Sequence, residues 1–197
     1  MSKKSSADMR QHLIDIAKAL MAEKGYTAVG LAELVAAAGV PKGSFYYYFK
    51  SKEEFGQALL DDYFTTYLQT VDALLAGPGN ARERLLAYFD YWRATQASSA
   101  PEGKCLVVKL GAEVCDLSVD MGVVLQHGTG AILDRLTQCV EAGHLDGSLA
   151  AATTPAPPRV LAESLYQLWL GASLMVKVAR SGGPFDAAMA TTQRLLS

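Results

Sequence analysis

Val40-Pro41-Lys42-Gly43-Ser44-Phe45-Tyr46-Tyr47-Tyr48-Phe49-Lys50-Ser51-Lys52 is the stretch on which the fold turns. It is crowded with aromatic rings, carries three lysines and contains no acid. On a helix, with residues about 100° apart, Phe45, Tyr48, Phe49 and Lys52 fall on one side. Gly43, Tyr46, Tyr47 and Lys50 fall on the other, with Lys42 and Ser44 at the flanks. The first face can anchor the helix to a small core. The second offers hydroxyl-tipped rings, bare backbone and ammonium groups, an inventory suited to phosphates and base edges in a major groove. An amphipathic helix that is merely aromatic fits these residues about as well.

The preceding residues favour the first reading. Leu31, Leu34, Val35 and Ala38 have helical spacing, and Gly39 follows where a left-handed cap would end that helix. Val40 can plug the corner, and Pro41 suits the opening of a new helix because its missing N–H had no partner there anyway. A short helix, a glycine turn and a second helix make a helix-turn-helix, with the second helix as the reader.

Gly25-Tyr26, Leu31 to Val40, Lys42 to Phe49 and Lys52-Glu53 together resemble the DNA-binding domain of TetR-family repressors, over about residues 8–60. Gly30 and Pro41 stand where that family usually has a capping Ser or Thr. Each missing side-chain cap costs about 1 kcal/mol, less where glycine replaces it. The resemblance implies an all-α protein: a helix-turn-helix head over residues 1–50, and a helical ligand-sensing and dimerisation body over 51–197. DNA contacts are expected from Lys42, Gly43, Ser44, Tyr46, Tyr47 and Lys52.

The 197 residues are half hydrophobic, enough for a sizeable core. No apolar run reaches the roughly 18 residues of a membrane span. The polar start leads directly into an amphipathic helix, with no signal peptide, so a cytoplasmic protein is expected. Net charge is −2, yet residues 1–60 hold eight Lys or Arg against six Asp or Glu, and the remainder ten against fourteen. The basic surplus therefore accompanies the reading helix, where local potential guides a protein to DNA. No Cys/His spacing suggests zinc, three cysteines suggest no disulfide framework, and no metal or cofactor is expected. His12, His127 and His144 are scattered.

Further along, residues 8–24 read as a helix with Leu13, Ile16, Ala17, Leu20 and Met21 inward, preceded by a short basic arm at Lys3 and Lys4. Ser51, with Glu54 in the capping-box position, opens a long linker helix to about Leu75. Ala76 to Asn80 breaks it. Helices are expected at 81–97 (Leu85, Leu86, Phe89 and Trp92 inward), 104–115, 118–142, 159–180 and 185–196. Loops are expected at 98–103 and at Gly182 to Pro184, with a linker from His144 to Pro158. The helix at 159–180 is apolar nearly all round. Its surplus face suits a second copy of the chain, with Gly171 and Ala172 permitting close approach.

Cys105 lies four residues before Lys109, beside Lys104 and near a helix N-terminus, features that favour thiolate. A small buried residue explains Cys105 equally well. Cys115 sits between Glu113 and Asp116, where negative charge opposes ionisation, and Cys139 reads as core. Lys177, which interrupts an apolar run, suits a snorkelling side chain or a deliberate interior cation. Cys105 to Leu110, Ala112 to Ser118 and Leu168 to Ala172 with Lys177 resemble the electrophile- and oxidant-responsive repressors of the same family. That likeness implies sensing at Cys105 with Lys177 as its neighbouring amine, and Lys109 as a rival. It also implies a mechanism: modification shifts the helix at 104–115, the linker helix moves and the two heads lose their half-site spacing. Coupling of about 3 kcal/mol lowers DNA affinity more than 100-fold.

The expected protein is therefore a homodimeric repressor on a palindromic double-stranded DNA operator, released by a small-molecule electrophile or oxidant. One alternative is a repressor induced by a non-covalent apolar ligand; a remote one is a thiol-based enzyme. The enzyme reading lacks a resolving partner, a general base and an oxyanion site.

Overall fold

The computed structural model describes residues 6–98, 104–149 and 157–197. The described residues form nine helices and no strand: α1 (Ser6–Lys24), α2 (Leu31–Ala37), α3 (Lys42–Tyr48), α4 (Lys52–Leu75), α5 (Ala81–Ala97), α6 (Leu106–Leu117), α7 (Val119–Asp146), α8 (Pro158–Ala179) and α9 (Gly183–Leu195). Among them no helix is long and apolar enough to cross a membrane. The arm at Lys3 and Lys4, residues 99–103 of the expected loop and 150–156 of the expected linker lie outside the described residues.

The helix boundaries have local causes. Gly39 takes φ +68°, its N–H donates to Ala36 O at 3.1 Å, and the Val40 N–H donates to Val35 O at 3.0 Å. This is the paired closure in which a left-handed glycine satisfies the last carbonyls of a helix. Ser51 accepts the Glu54 N–H at 3.0 Å, while the Glu54 carboxylate accepts from Lys50 N, at 2.8 Å, rather than from Ser51. Asn80 and Glu83 form a complete capping box at the start of α5. Helix α7 runs past His144 to Asp146, beyond the expected end. Gly147, at φ +73°, follows it, and the Leu149 N–H closes back on Gly143 O at 3.0 Å. Gly183 and Pro184 open α9 instead of merely breaking the chain, because proline is tolerated in a first helical turn.

Packing divides the chain into two compact units: Met1–Thr66 with Ala100–Gly128, and Tyr67–Ser99 with Thr129–Ser197. Helix α6 and the start of α7 join the unit that holds the helix-turn-helix. In that first unit Leu13, Ile14, Ala17 and Met21 of α1 are buried with Leu34, Val35, Phe45, Phe49, Phe55 and Leu59. The α1 stripe is thus rotated from the expected one, leaving Ile16 and Leu20 half-buried. Phe45, Phe49 and Phe55 form a ring cluster with centroids 4.8–5.4 Å apart. Lys18 bridges α1 to Asp62 of α4 at 2.5 Å.

In the second unit Leu85, Tyr88, Phe89 and Trp92 of α5 are buried and Leu86 only half so; Phe89 and Trp92 meet the aromatic rings of α8. Phe89 stacks on Trp169 at 5.1 Å, and Trp169 on Phe185 at 5.8 Å. The two indole N–H groups find hydroxyls, Trp92 on Ser173 at 3.0 Å and Trp169 on Thr192 at 2.9 Å. A buried indole usually finds such a partner, and each hydroxyl also donates to a carbonyl one turn back on its own helix.

Candidate nucleic-acid interface and thiol site

Helix α3 is seven residues long, too short to persist without tertiary support. Phe45 and Phe49, at 0% and 1% exposure, provide that support. Their burial fixes which way the opposite face points: Tyr46 is 55% and Tyr47 75% exposed, and Lys42, Gly43 and Lys50 are exposed beside them. Ser44 and Tyr48 are half-buried at the flanks. A Cβ at Gly43 meets nothing within 4 Å, so no internal packing demands glycine there. Arg10 places its guanidinium 4.9 Å from the centroid of the Phe49 ring.

Lys52 is held differently. Its Nζ donates to Tyr26 O at 3.0 Å and lies 4.6 Å from the centre of the Tyr26 ring. The Tyr26 hydroxyl returns the bond, donating to Lys52 O at 2.6 Å. Burial pulls the Lys52 amine below its ordinary range, opposed by the charge of Glu113. The structure thus brings together five of the six expected DNA-contact residues on one short helix. The sixth, Lys52, is tied by one N–H to the turn after α1. The helical projection itself put Lys52 on the side of Phe45 and Phe49.

Glu113 of α6 was not singled out by the sequence, yet it organises the same turn. It accepts the Tyr26 N–H at 3.0 Å, the Thr27 N–H at 2.6 Å and the Thr27 hydroxyl. Burial opposes its charge, but the bonds from Thr27 and Tyr26 and the nearby Lys109 outweigh that and hold the carboxyl below the usual carboxylate range. One residue past the end of α6, the buried Ser118 donates to Glu53 of α4 and accepts the Met121 N–H at 3.3 Å.

Cys105 is the N-cap of α6, one residue before the helix proper, and is 2% exposed. Its side chain makes no capping bond. Lys109, half-buried one turn into α6, sends its charge toward Glu113. Lys177 is exposed in the last turn of α8 and belongs to the second unit, whereas Cys105 belongs to the first. Cys115 is exposed. Cys139 is buried, its Sγ 3.6 Å from Ala81 O, and burial pushes its thiol up. In the second unit a cleft of about 260 Å³ is lined by Asp72, Arg84, Arg135 and Gln138 together with the apolar Leu75, Ala76 and Ala142 and the Cys139 thiol.

Comparison with known proteins agrees with this architecture. Residues 13–59 match the family "Bacterial regulatory proteins, tetR family", and residues 81–192 match "Tetracyclin repressor-like, C-terminal domain". The chain is 40% identical to the HTH-type transcriptional repressor NemR of Escherichia coli K12, covering 100% of this chain and 98% of NemR. It is 30% identical to the repressor DhaR of a Mycobacterium species, covering 90% and 87% of the two chains. The crystal structure of reduced E. coli NemR superposes with a TM-score of 0.89, over 96% of this chain and 97% of that one. A buried aromatic anchor under an outward-facing tyrosine pair, a body whose described residues are helical and matches along nearly the whole length converge: this chain belongs to the tetR family of bacterial regulatory proteins.

Proposed function

We propose that the chain is a homodimeric repressor that binds a palindromic double-stranded DNA operator and lets go when an electrophile or oxidant modifies Cys105. The observation that carries the DNA half is the outward presentation of Tyr46 and Tyr47 from a helix locked by Phe45 and Phe49. In this reading Lys42, Ser44 and Lys52 hold phosphates, Gly43 lets the backbone come close, and the two tyrosines meet bases. Lys52 retains two N–H groups beyond the one on Tyr26. Two such heads in a symmetric dimer read half-sites one helical turn apart, or a multiple of it. The role is regulatory, with no catalytic step assigned.

The thiol half is supported by the position of Cys105 at the start of α6, a helix in the same compact unit as the reading head, and by the likeness to NemR, a repressor. Lys177 and Lys109 are the two candidate amine partners. The deciding experiment is a footprint of the purified protein on DNA flanking its own coding sequence, with and without N-ethylmaleimide. The expected result is a two-fold symmetric protected site that disappears on treatment, and a Cys105→Ser protein that protects the same site and ignores the reagent. Absence of any protected site ends the DNA half. A Cys105→Ser protein that is still released ends the thiol half, in favour of a reversible ligand.

A further inference from the structure

We propose that Glu113 is the positioning residue through which α6 sets the reading head: its carboxylate grips the turn between α1 and α2, and without that grip operator binding no longer follows the state of the thiol. The inference rests on the reading of Cys105 as the sensing thiol.

The grip is built from backbone. Tyr26 and Thr27 follow the end of α1, where their N–H groups have no helical acceptor. Gly25, at φ +96°, turns the chain so that both N–H groups face α6, and the two carboxylate oxygens take one each, at 3.0 and 2.6 Å. A Cβ on Gly25 would stand 3.1 Å from Glu113 Oε2, so a side chain there would crowd the carboxylate. Bonds from N–H to an ionised carboxylate are among the stronger ones a protein makes. The Thr27 hydroxyl adds a third donor.

The other end of the same helix carries Cys105. Eight residues separate it from Glu113, about 12 Å along the axis at the ordinary helical rise. Leu106, Leu110 and Val114 are buried along one edge between and beyond them, so α6 moves as a rod and not as separate residues. A displacement begun at the N-cap is therefore delivered to the carboxylate, and through it to Tyr26. Tyr26 in turn is bonded both ways to Lys52, three residues past the buried anchor Phe49 of the reading helix. Ser118, bonded to Glu53, fixes where α6 ends against α4 and leaves the α1–α2 turn to Glu113.

The test uses the full-length protein, its footprinted operator and N-ethylmaleimide as the probe. Wild type is expected to lose about 100-fold in operator affinity on treatment. Glu113→Ala is expected to bind untreated operator within about 5-fold of wild type and to lose less than about 10-fold on treatment. Its Tyr26 and Thr27 amides should exchange hydrogen about 10-fold faster than in wild type, a readout independent of the thiol. Glu113→Gln, which keeps one acceptor oxygen and nearly the same shape, should fall between the two. A Glu113→Ala protein released as fully as wild type overturns the proposal. So do unchanged amide protection and an untreated variant that no longer binds DNA, since the last marks a brace and not a coupler. If wild type itself is not released, the thiol reading has failed, and the exchange measurement still decides whether the carboxylate holds the turn.

Discussion

Tyr26 is used at three atoms. Its N–H donates to Glu113, its carbonyl accepts from Lys52, and its hydroxyl donates to Lys52 O. Burial first, then the negative charges of Glu53 and Glu113, push its phenol up to about 12, against an ordinary value of 10.0. An unfolded tyrosine ionises near its ordinary value, so the folded state binds this proton more tightly. The contribution is whole below about pH 10 and disappears as pH rises through about 12. Urea midpoints should accordingly fall across that window, and Tyr26→Phe should flatten the fall. At neutral pH the same variant should lose about 1 kcal/mol with the hydroxyl's bond. In the sequence Tyr26 stands out only as a matched family position. Its partner Glu113 lies 87 residues away, and helical periodicity carries no information about contacts at that range. The exposure of Tyr46 and Tyr47 was legible for the opposite reason: it follows from the burial of Phe45 on the same helix and of Phe49 at its C-cap, four residues on.

Helix boundaries near glycines and caps were similarly legible, because their causes lie within a few residues. The turn at Gly39 and the linker helix from Ser51 both depend on local bonds. The rotation of α1, which buries Ile14 in place of Ile16, is a tertiary choice made by the helices packed against it. Glycines inside α7 show the same limit. A glycine in a helix interior costs about 1 kcal/mol relative to alanine, so a packing reason is to be sought for each. Gly128 has one: a Cβ there would lie 2.3 Å from the Phe64 ring of α4. Gly130, two residues on, meets nothing within 4 Å. Gly128→Ala should therefore lose about 1–3 kcal/mol through overpacking, net of its better propensity. Gly130→Ala should gain up to about 1 kcal/mol. Thermal melts of the two variants side by side check the pair. Equal melting temperatures would mean that α4 and α7 are not held at the spacing Phe64 implies.

At the scale of the whole molecule, a single reading helix is a weak reader, and the proposed operator requires two. The second unit leaves an apolar face that can join them. Helix α8 turns Leu165, Tyr166 and Trp169 inward but leaves Val160, Leu174, Met175 and Val178 between 47% and 67% exposed. Gly171 lies on the same outward side, and a Cβ there meets nothing within 4 Å. Ala172, the other small residue expected at a helix crossing, is buried inside the unit instead. Apolar surface gains about 25 cal/mol for each Å² removed from water, so covering this stripe with its own copy favours association. Two carboxylates placed in the stripe would face their symmetry mates across a dry seam, where desolvation and like-charge repulsion both oppose pairing. Leu174→Glu with Val178→Glu should therefore yield a monomer by light scattering at micromolar concentration, with helical content unchanged. Because linking two heads raises affinity about 100-fold or more over one, the monomer should lose the footprint while keeping weak, salt-sensitive DNA binding. If the doubly charged protein remains a dimer, the heads are joined through some other face, and the half-site spacing must be sought there.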